Sequence, residues 1–159
     1  MTFQEIAARL QSTFGDAVLE ARSEGVVEPS VKVAPAKLRE VALLLRSDPD
    51  MRFDYLMCLS GMDQGKETLG VVYHLSSMTH LHKLTLKTDV PVSDPKVATV
   101  SDIWPTANWH EREAWDLLGI VFTGHPDLRR ILLPEDYPGH PLRKDFKVPE
   151  FYNGMKVPY

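Results

Sequence analysis

The chain has little of what redox or nucleotide chemistry requires. Cys58 is its only cysteine. One thiol forms no internal disulfide, which suits a reducing compartment. Nor can one thiol hold an iron–sulfur cluster, whose irons need several thiolates at close spacing. No GxGxxG or P-loop pattern occurs, so neither type of phosphate-cradling loop is indicated. Positive charge is also scarce. A net charge of −4 argues against nucleic acid as the main partner, because phosphate binding needs clustered cations. Long apolar runs are missing, and stretches such as Val41-Ala42-Leu43-Leu44-Leu45 fall far short of the roughly 20 residues of a spanning helix. No basic segment leads into an apolar stretch at the start, which predicts neither an export signal nor a transit segment and suits a bacterial chain. Any membrane association is expected to be indirect, through another protein.

What is present reads as one globular unit of 159 residues, 43% hydrophobic and 25% charged, with length for a modest core. Thr2-Phe3-Gln4-Glu5 has the form of a capping box, and Phe3, Ile6, Ala7, Leu10 and Phe14 then fall on one helical face, with Gly15 as the stop. Val18 to Ala21 and Val31 to Val33 have strand character around a turn near Gly25 and Pro29. Pro35 can open a second helix with Leu38, Val41, Ala42 and Leu45 as its buried stripe. Strands are expected over Phe53 to Leu59, Leu69 to Leu75 and Leu81 to Leu86, the last with a break in alternation that allows a bulge. Gly61 to Gly65 and Ser76 to Thr79 read as turns. This order predicts an α+β fold, a small antiparallel or mixed sheet with helices packed on it.

A third helix is predicted from about Trp109 to Leu118, stopped by Gly119. At 100° per residue, Trp109, Arg112, Glu113 and Asp116 share one side, while Glu111 lies among Ala114, Trp115 and Leu118 on the other. A carboxylate on an apolar stripe is costly unless paired, and Arg129 or Arg130 is the expected partner. The plain reading of such a segment is a solvated surface helix. A catalytic reading would use Glu111, Glu113 and His110 as in a small hydrolase. The geometry favours a structural ion-pair network of Glu111, Arg112, Glu113, Asp116 and Arg129, since no nucleophile with a base at recognisable spacing accompanies the acids.

From Gly124 onward half of the chain's 12 prolines recur without a sustained period, so this stretch should be extended or turning. Composition alone allows a disordered tail. Its large apolar groups, from Leu128 through Ile131, Leu132, Leu133, Tyr137 and Phe146 to Tyr152, argue instead for a segment that lies on a surface. The chain thus divides into an α+β domain over 1–123 and an extended docking arm over 124–159. The arm contains a quasi-repeat, Gly124-His125-Pro126-Asp127-Leu128-Arg129 and Gly139-His140-Pro141-Leu142-Arg143, which presents His and Arg from turns. A metal site on His125 and His140, or on His80 and His82, lacks further ligand support and is not expected. Partner contacts are assigned to His125, Arg129, Arg130, His140, Arg143, Lys144, Asp145 and Phe146, and no catalytic, cofactor or metal residue is assigned.

The run Glu111-Arg112-Glu113-Ala114-Trp115-Asp116-Leu117-Leu118-Gly119-Ile120, followed by Phe122 and Gly124-His125-Pro126-Asp127-Leu128-Arg129-Arg130-Ile131-Leu132, closely resembles the signature of the C-subunit (30 kDa subunit) family of respiratory complex I. Pro134-Glu135-Asp136-Tyr137-Pro138-Gly139-His140-Pro141-Leu142-Arg143-Lys144-Asp145-Phe146 resembles the same family's tail. The resemblance implies a non-redox accessory subunit in the peripheral arm of an NADH:quinone oxidoreductase, beside the D, B and I subunits. In that setting NADH, FMN, iron–sulfur clusters and quinone belong to the whole complex and none to this chain. It also implies a peripheral place on the cytoplasmic side of the bacterial inner membrane. The equivalent component of a membrane-bound hydrogenase or formate hydrogenlyase looks similar over the same signature. Because the chain ends soon after the tail, no fusion to the D subunit is expected.

Overall fold

A computed structural model describes residues 1–157, so the arm's last two residues lie outside the described region. Helix α1 (Phe3–Phe14) begins with the expected capping box: Thr2 Oγ1 accepts the Glu5 N–H, and Glu5 accepts the Thr2 N–H. It buries Ile6 and Leu10. Strands β1 (Val18–Arg22) and β2 (Ser30–Val33) follow as an antiparallel pair. A single 3-10 turn over Pro35–Lys37 leads into α2 (Leu38–Ser47), which buries the four predicted residues Leu38, Val41, Ala42 and Leu45. Full burial of a Val or Leu side chain is worth about 1.5–3 kcal/mol.

Strands β3 (Tyr55–Gly65), β4 (Thr68–Ser76) and β5 (Lys83–Pro91) form an antiparallel meander. The five-stranded sheet has the order β1-β2-β5-β4-β3, with β2 and β5 parallel, so the fold is a mixed-sheet α+β layer structure. Two more short strands, β6 (Lys96–Ala98) and β7 (Val121–Thr123), pair in parallel around helix α3 (Ala107–Leu118). A two-residue hairpin of β8 (Phe151–Tyr152) and β9 (Met155–Lys156) lies near the end. One hydrophobic cluster runs from Ile6 to Phe122, and beyond that point only Leu128 among the described residues packs against it. No helix among the described residues is long and apolar enough to cross a membrane.

Three local expectations need correction. The residues 61–65 are not a turn: they continue β3, and the chain reverses at Lys66 and Glu67, both in the left-handed region with φ 51° and 57°. The irregularities in pairing fall in β3, between Leu56 and Cys58 and between Asp63 and Gly65, while β5 pairs with β4 without a shift. The broken alternation near Leu81 arises because Leu81 and His82 precede the strand; Leu81 is exposed with φ 55°. His80 and His82 therefore precede the strand, where their Nε2 atoms bond the carbonyls of Pro49 (2.9 Å) and Met51 (2.6 Å).

Candidate functional site

Helix α3 is buried on two sides. One side carries Ala107, Glu111, Ala114 and Leu118 toward the sheet. The helix can come so close to β3 because residue 61 is glycine. A Cβ there would lie 2.7 Å from Leu118 Cδ1 and 3.2 Å from both Ala114 Cβ and Ile120 Cδ1. The other side carries Arg112 and Asp116, also buried, and is covered by the arm.

Asp116 organises that cover. Its Oδ2 accepts three successive backbone N–H groups, from Ile131 (3.0 Å), Leu132 (2.8 Å) and Leu133 (3.0 Å), and its Oδ1 takes the Arg130 guanidinium at 2.7 Å. Burial alone would raise this carboxyl's pKa. The three N–H donors and Arg130 outweigh burial and hold it below the usual range. Arg130 also donates to the carbonyls of Tyr137 and Gly139. Arg112 donates to the carbonyls of Arg129 and Arg130 at 3.2 Å each, and its guanidinium lies 5.4 Å from the Trp109 ring, within cation–π range.

The quasi-repeat clamps the arm to both ends of α3. Gly124 and Gly139 take φ 83° and 79°, which only glycine adopts at low cost. Each following histidine bonds a helix carbonyl: His125 Nε2 to Asn108 O at 3.0 Å, and His140 Nδ1 to Asp116 O at 2.9 Å. The last carbonyls of a helix lack internal partners. Here the arm supplies them, since the Leu142 N–H donates to Leu117 O (3.0 Å) and Arg143 Nε to Leu118 O (2.8 Å). Gly119 makes the helix stop in the left-handed region at φ 76°, with the His140 ring where a Cβ would stand. Farther on, the Lys144 N–H donates to Asp63 at 2.9 Å, the Tyr137 and Phe146 rings stack at 6.3 Å, and the Tyr152 hydroxyl donates to Asp136.

Glu111 lies on the sheet side, fully buried as its place on the apolar stripe predicts. Its partners are not the expected arginines. The Val100 N–H donates to it at 2.8 Å, and the Thr99 hydroxyl donates to its other oxygen. Arg130 is drawn to Asp116 on the opposite side of the helix, and Arg129 points outward to Asp127 at 2.8 Å. With only neutral donors beside it, burial pushes the Glu111 carboxyl up to about 7.

Other predicted residues also divide. Glu113 is exposed and makes no ion pair among the described residues. The Nδ1 of His110 accepts the Leu59 N–H, and His110 and Glu113 line a cleft of about 220 Å³ with Cys58 and Ser60. Glu111 is not in that cleft, so the three residues of the hydrolase reading do not share a site. Of the residues assigned to a partner, His125 and Arg130 are turned into the chain, with side chains 0% and 13% exposed. Arg129, Lys144 and Asp145 stay exposed, as do the unassigned Leu132, Leu142, Phe151 and Met155. No group of three or more His, Cys, Asp or Glu among the described residues is placed to hold a metal.

Thr99, Val100 and Asp63 are not legible as site residues in the sequence. Two of their contacts use backbone donors, which carry no side-chain signal. The third is a hydroxyl 12 positions from its carboxylate.

Comparison with known proteins gives a consistent result. Residues 31–152 match the family model for the respiratory-chain NADH dehydrogenase 30 Kd subunit. The chain is 48% identical over 157 residues to the NADH-quinone oxidoreductase C subunit of Chloroherpeton thalassium, covering 98% of this chain and 65% of that one. It is 44% identical to the protein of the same name from Chlorobium phaeobacteroides, covering 94% and 92% respectively. Among solved structures, a trypsin-resistant fragment of Nqo5 aligns with a TM-score of 0.65 at 29% identity, covering 80% of this chain and all of the fragment. A chain of the archaeal membrane-bound sulfane sulfur reductase shares the fold, with a TM-score of 0.74 at 24% identity over 91% of this chain and 85% of that one.

Proposed function

Because the chain belongs to the family of the respiratory-chain NADH dehydrogenase 30 Kd subunit, we propose that it serves as the C subunit of an NADH-quinone oxidoreductase. Its role there is that of a non-redox accessory subunit, which supports electron transfer from NADH to quinone coupled to proton translocation. Its partners are the D, B and I subunits, at the cytoplasmic face of the bacterial inner membrane.

The observation that carries this reading is the arm. Its root is fixed to α3 by Asp116 and by the two histidine clamps. Along its length it exposes Leu132, Leu142, Phe151 and Met155, at 61%, 59%, 58% and 68%, beside the charged groups of Arg129, Lys144 and Asp145. Spaced apolar anchors rimmed by charge are suited to covering a partner surface. The donor set also suits an accessory role. The single thiol of Cys58 does not fit an iron–sulfur cluster, so no electron-transfer step is assigned to these residues. The hydrolase reading is not favoured, because its carboxylates face different sides of α3.

Co-purification tests the proposal. A tagged chain expressed at native level should bring down cluster-bearing subunits of the oxidoreductase. Recovery of the chain alone would contradict it.

A further inference from the structure

Glu111 is the one carboxyl on the sheet side of α3, and the groups around it supply hydrogen bonds without supplying charge. Its Oε1 accepts the Val100 N–H at 2.8 Å. Its Oε2 meets the Thr99 hydroxyl, whose oxygen lies 2.9 Å from the Ser101 hydroxyl. His125 Nε2 is 3.9 Å from the same Oε2. The Nδ1 of His125 accepts the Asp127 N–H while its Nε2 bonds the Asn108 carbonyl. From β4, the Tyr73 phenol is fully buried without a hydrogen-bond partner and is held neutral by burial and by the Glu111 charge. The remaining nearby charge, Asp102, is negative and is itself paired with Arg39 of α2. Arg39 also donates to the Thr99 carbonyl at 3.2 Å, while among the described residues the Glu111 carboxylate itself accepts hydrogen bonds from Val100 and Thr99.

The hydroxyl chain has two complete arrangements. With Glu111 ionised, Thr99 turns its one proton to Oε2, and the Ser101 N–H donates to Thr99 Oγ1 at 3.2 Å. With Glu111 protonated, Oε2 donates to Thr99 and Thr99 donates to Ser101. Glu111 Oε2 and Thr99 Oγ1 stay bonded to each other in both, because a hydroxyl both donates and accepts. Thr99 and Ser101 also line a cavity of about 480 Å³ together with Arg39, Asp102, Asn108 and Thr123. The chain of hydroxyls thus runs from a fully buried carboxyl to an opening in the surface.

We infer that Glu111, Thr99 and Ser101 form an internal proton-binding site that exchanges with solvent through this cavity. When the site discharges, the Oε2 proton passes to Thr99 Oγ1, the Thr99 proton passes to Ser101 Oγ, and the Ser101 proton goes to water. Loading reverses each transfer, and no other reactant is required. Glu111→Gln mimics the loaded state, because its amide can donate to Thr99 and its carbonyl can accept from Val100.

The test is infrared titration of the full-length chain. The wild type should show a protonated-carboxyl C=O band that persists above about pH 6, where ordinary carboxyls are ionised, and that is lost near neutrality. Glu111→Gln should lack that band. Thr99→Val should move its midpoint upward, since the ionised form loses a donor that the protonated form needs less. Absence of any carboxyl band above about pH 6 in the folded wild type would overturn the inference, and this result does not depend on either variant folding.

Discussion

Asp116 and Arg130 meet at 2.7 Å on the side of α3 that faces away from the sheet, and this pair holds the arm against the helix. Asp116 has 0% and Arg130 13% of the side chain exposed. The same carboxylate gathers the N–H groups of residues 131–133, so one side chain fixes both the charge and the backbone direction of the arm's root.

Asp116→Ala strands a largely buried guanidinium and three backbone donors. The expected cost is about 3–5 kcal/mol, the range for breaking a buried pair. Limited proteolysis should then cut the arm near residues 130–133 while the segment before residue 123 resists. Equal resistance in wild type and variant would show that the arm is held elsewhere. Because the folded carboxyl has a lowered pKa, its contribution is complete above the ordinary carboxylate range and is lost as pH falls through the folded value.

Glu111 acts in the opposite sense. Its folded value, about 7, lies above its ordinary 4.5, so between those values the folded state holds a proton that the unfolded state has released. Stability should therefore fall as pH rises from about 4.5 to about 7, by roughly 3 kcal/mol from this group. Denaturant unfolding of wild type and Glu111→Gln across that range checks it. The variant should lose this downward slope and be the more stable of the two above neutrality, and parallel curves would contradict the assignment.

Gly61→Ala tests the close approach of α3 to β3. The added methyl meets Leu118 at 2.7 Å with Ala114 and Ile120 close behind, so the helix must shift or the rotamers strain. A loss of about 1–3 kcal/mol is expected in thermal unfolding. An unchanged melting temperature would show that the layer can yield there.

The helices are the most legible part of the fold. The stripe Leu38, Val41, Ala42 and Leu45 follows the helical period, and each member is buried in the structure. The capping box at Thr2 and Glu5 is a local pattern with a local cause. What is not legible is set by tertiary context. Gly61 and Gly65 look like turn residues, yet Gly61 stays in β3 because a helix lies against it. Strands of three residues, such as β6 and β7, are too short to show a period, and they pair across an intervening helix. At the candidate site, the burial of Glu111 is readable from its place on the apolar face. Its partners are not, because Val100 contributes a backbone N–H and no sequence pattern links Thr99 to a helix that starts later. The docking residues rest on composition, which cannot tell that His125 and Arg130 turn inward while Leu132 and Leu142 turn out.

The central claim, that the arm joins this chain to the rest of the oxidoreductase, is tested most directly by truncation after Pro138. The hydrophobic cluster lies between Ile6 and Phe122, so circular dichroism of the truncated chain should keep the α+β signature. The cut removes the clamp at His140, the helix-capping contacts of Leu142 and Arg143, and the exposed Leu142, Phe151 and Met155. Pull-down from cells should then recover the partner subunits with the full-length chain and lose them with the truncated one. Recovery of the same subunits in equal yield by a folded, truncated chain would contradict the account.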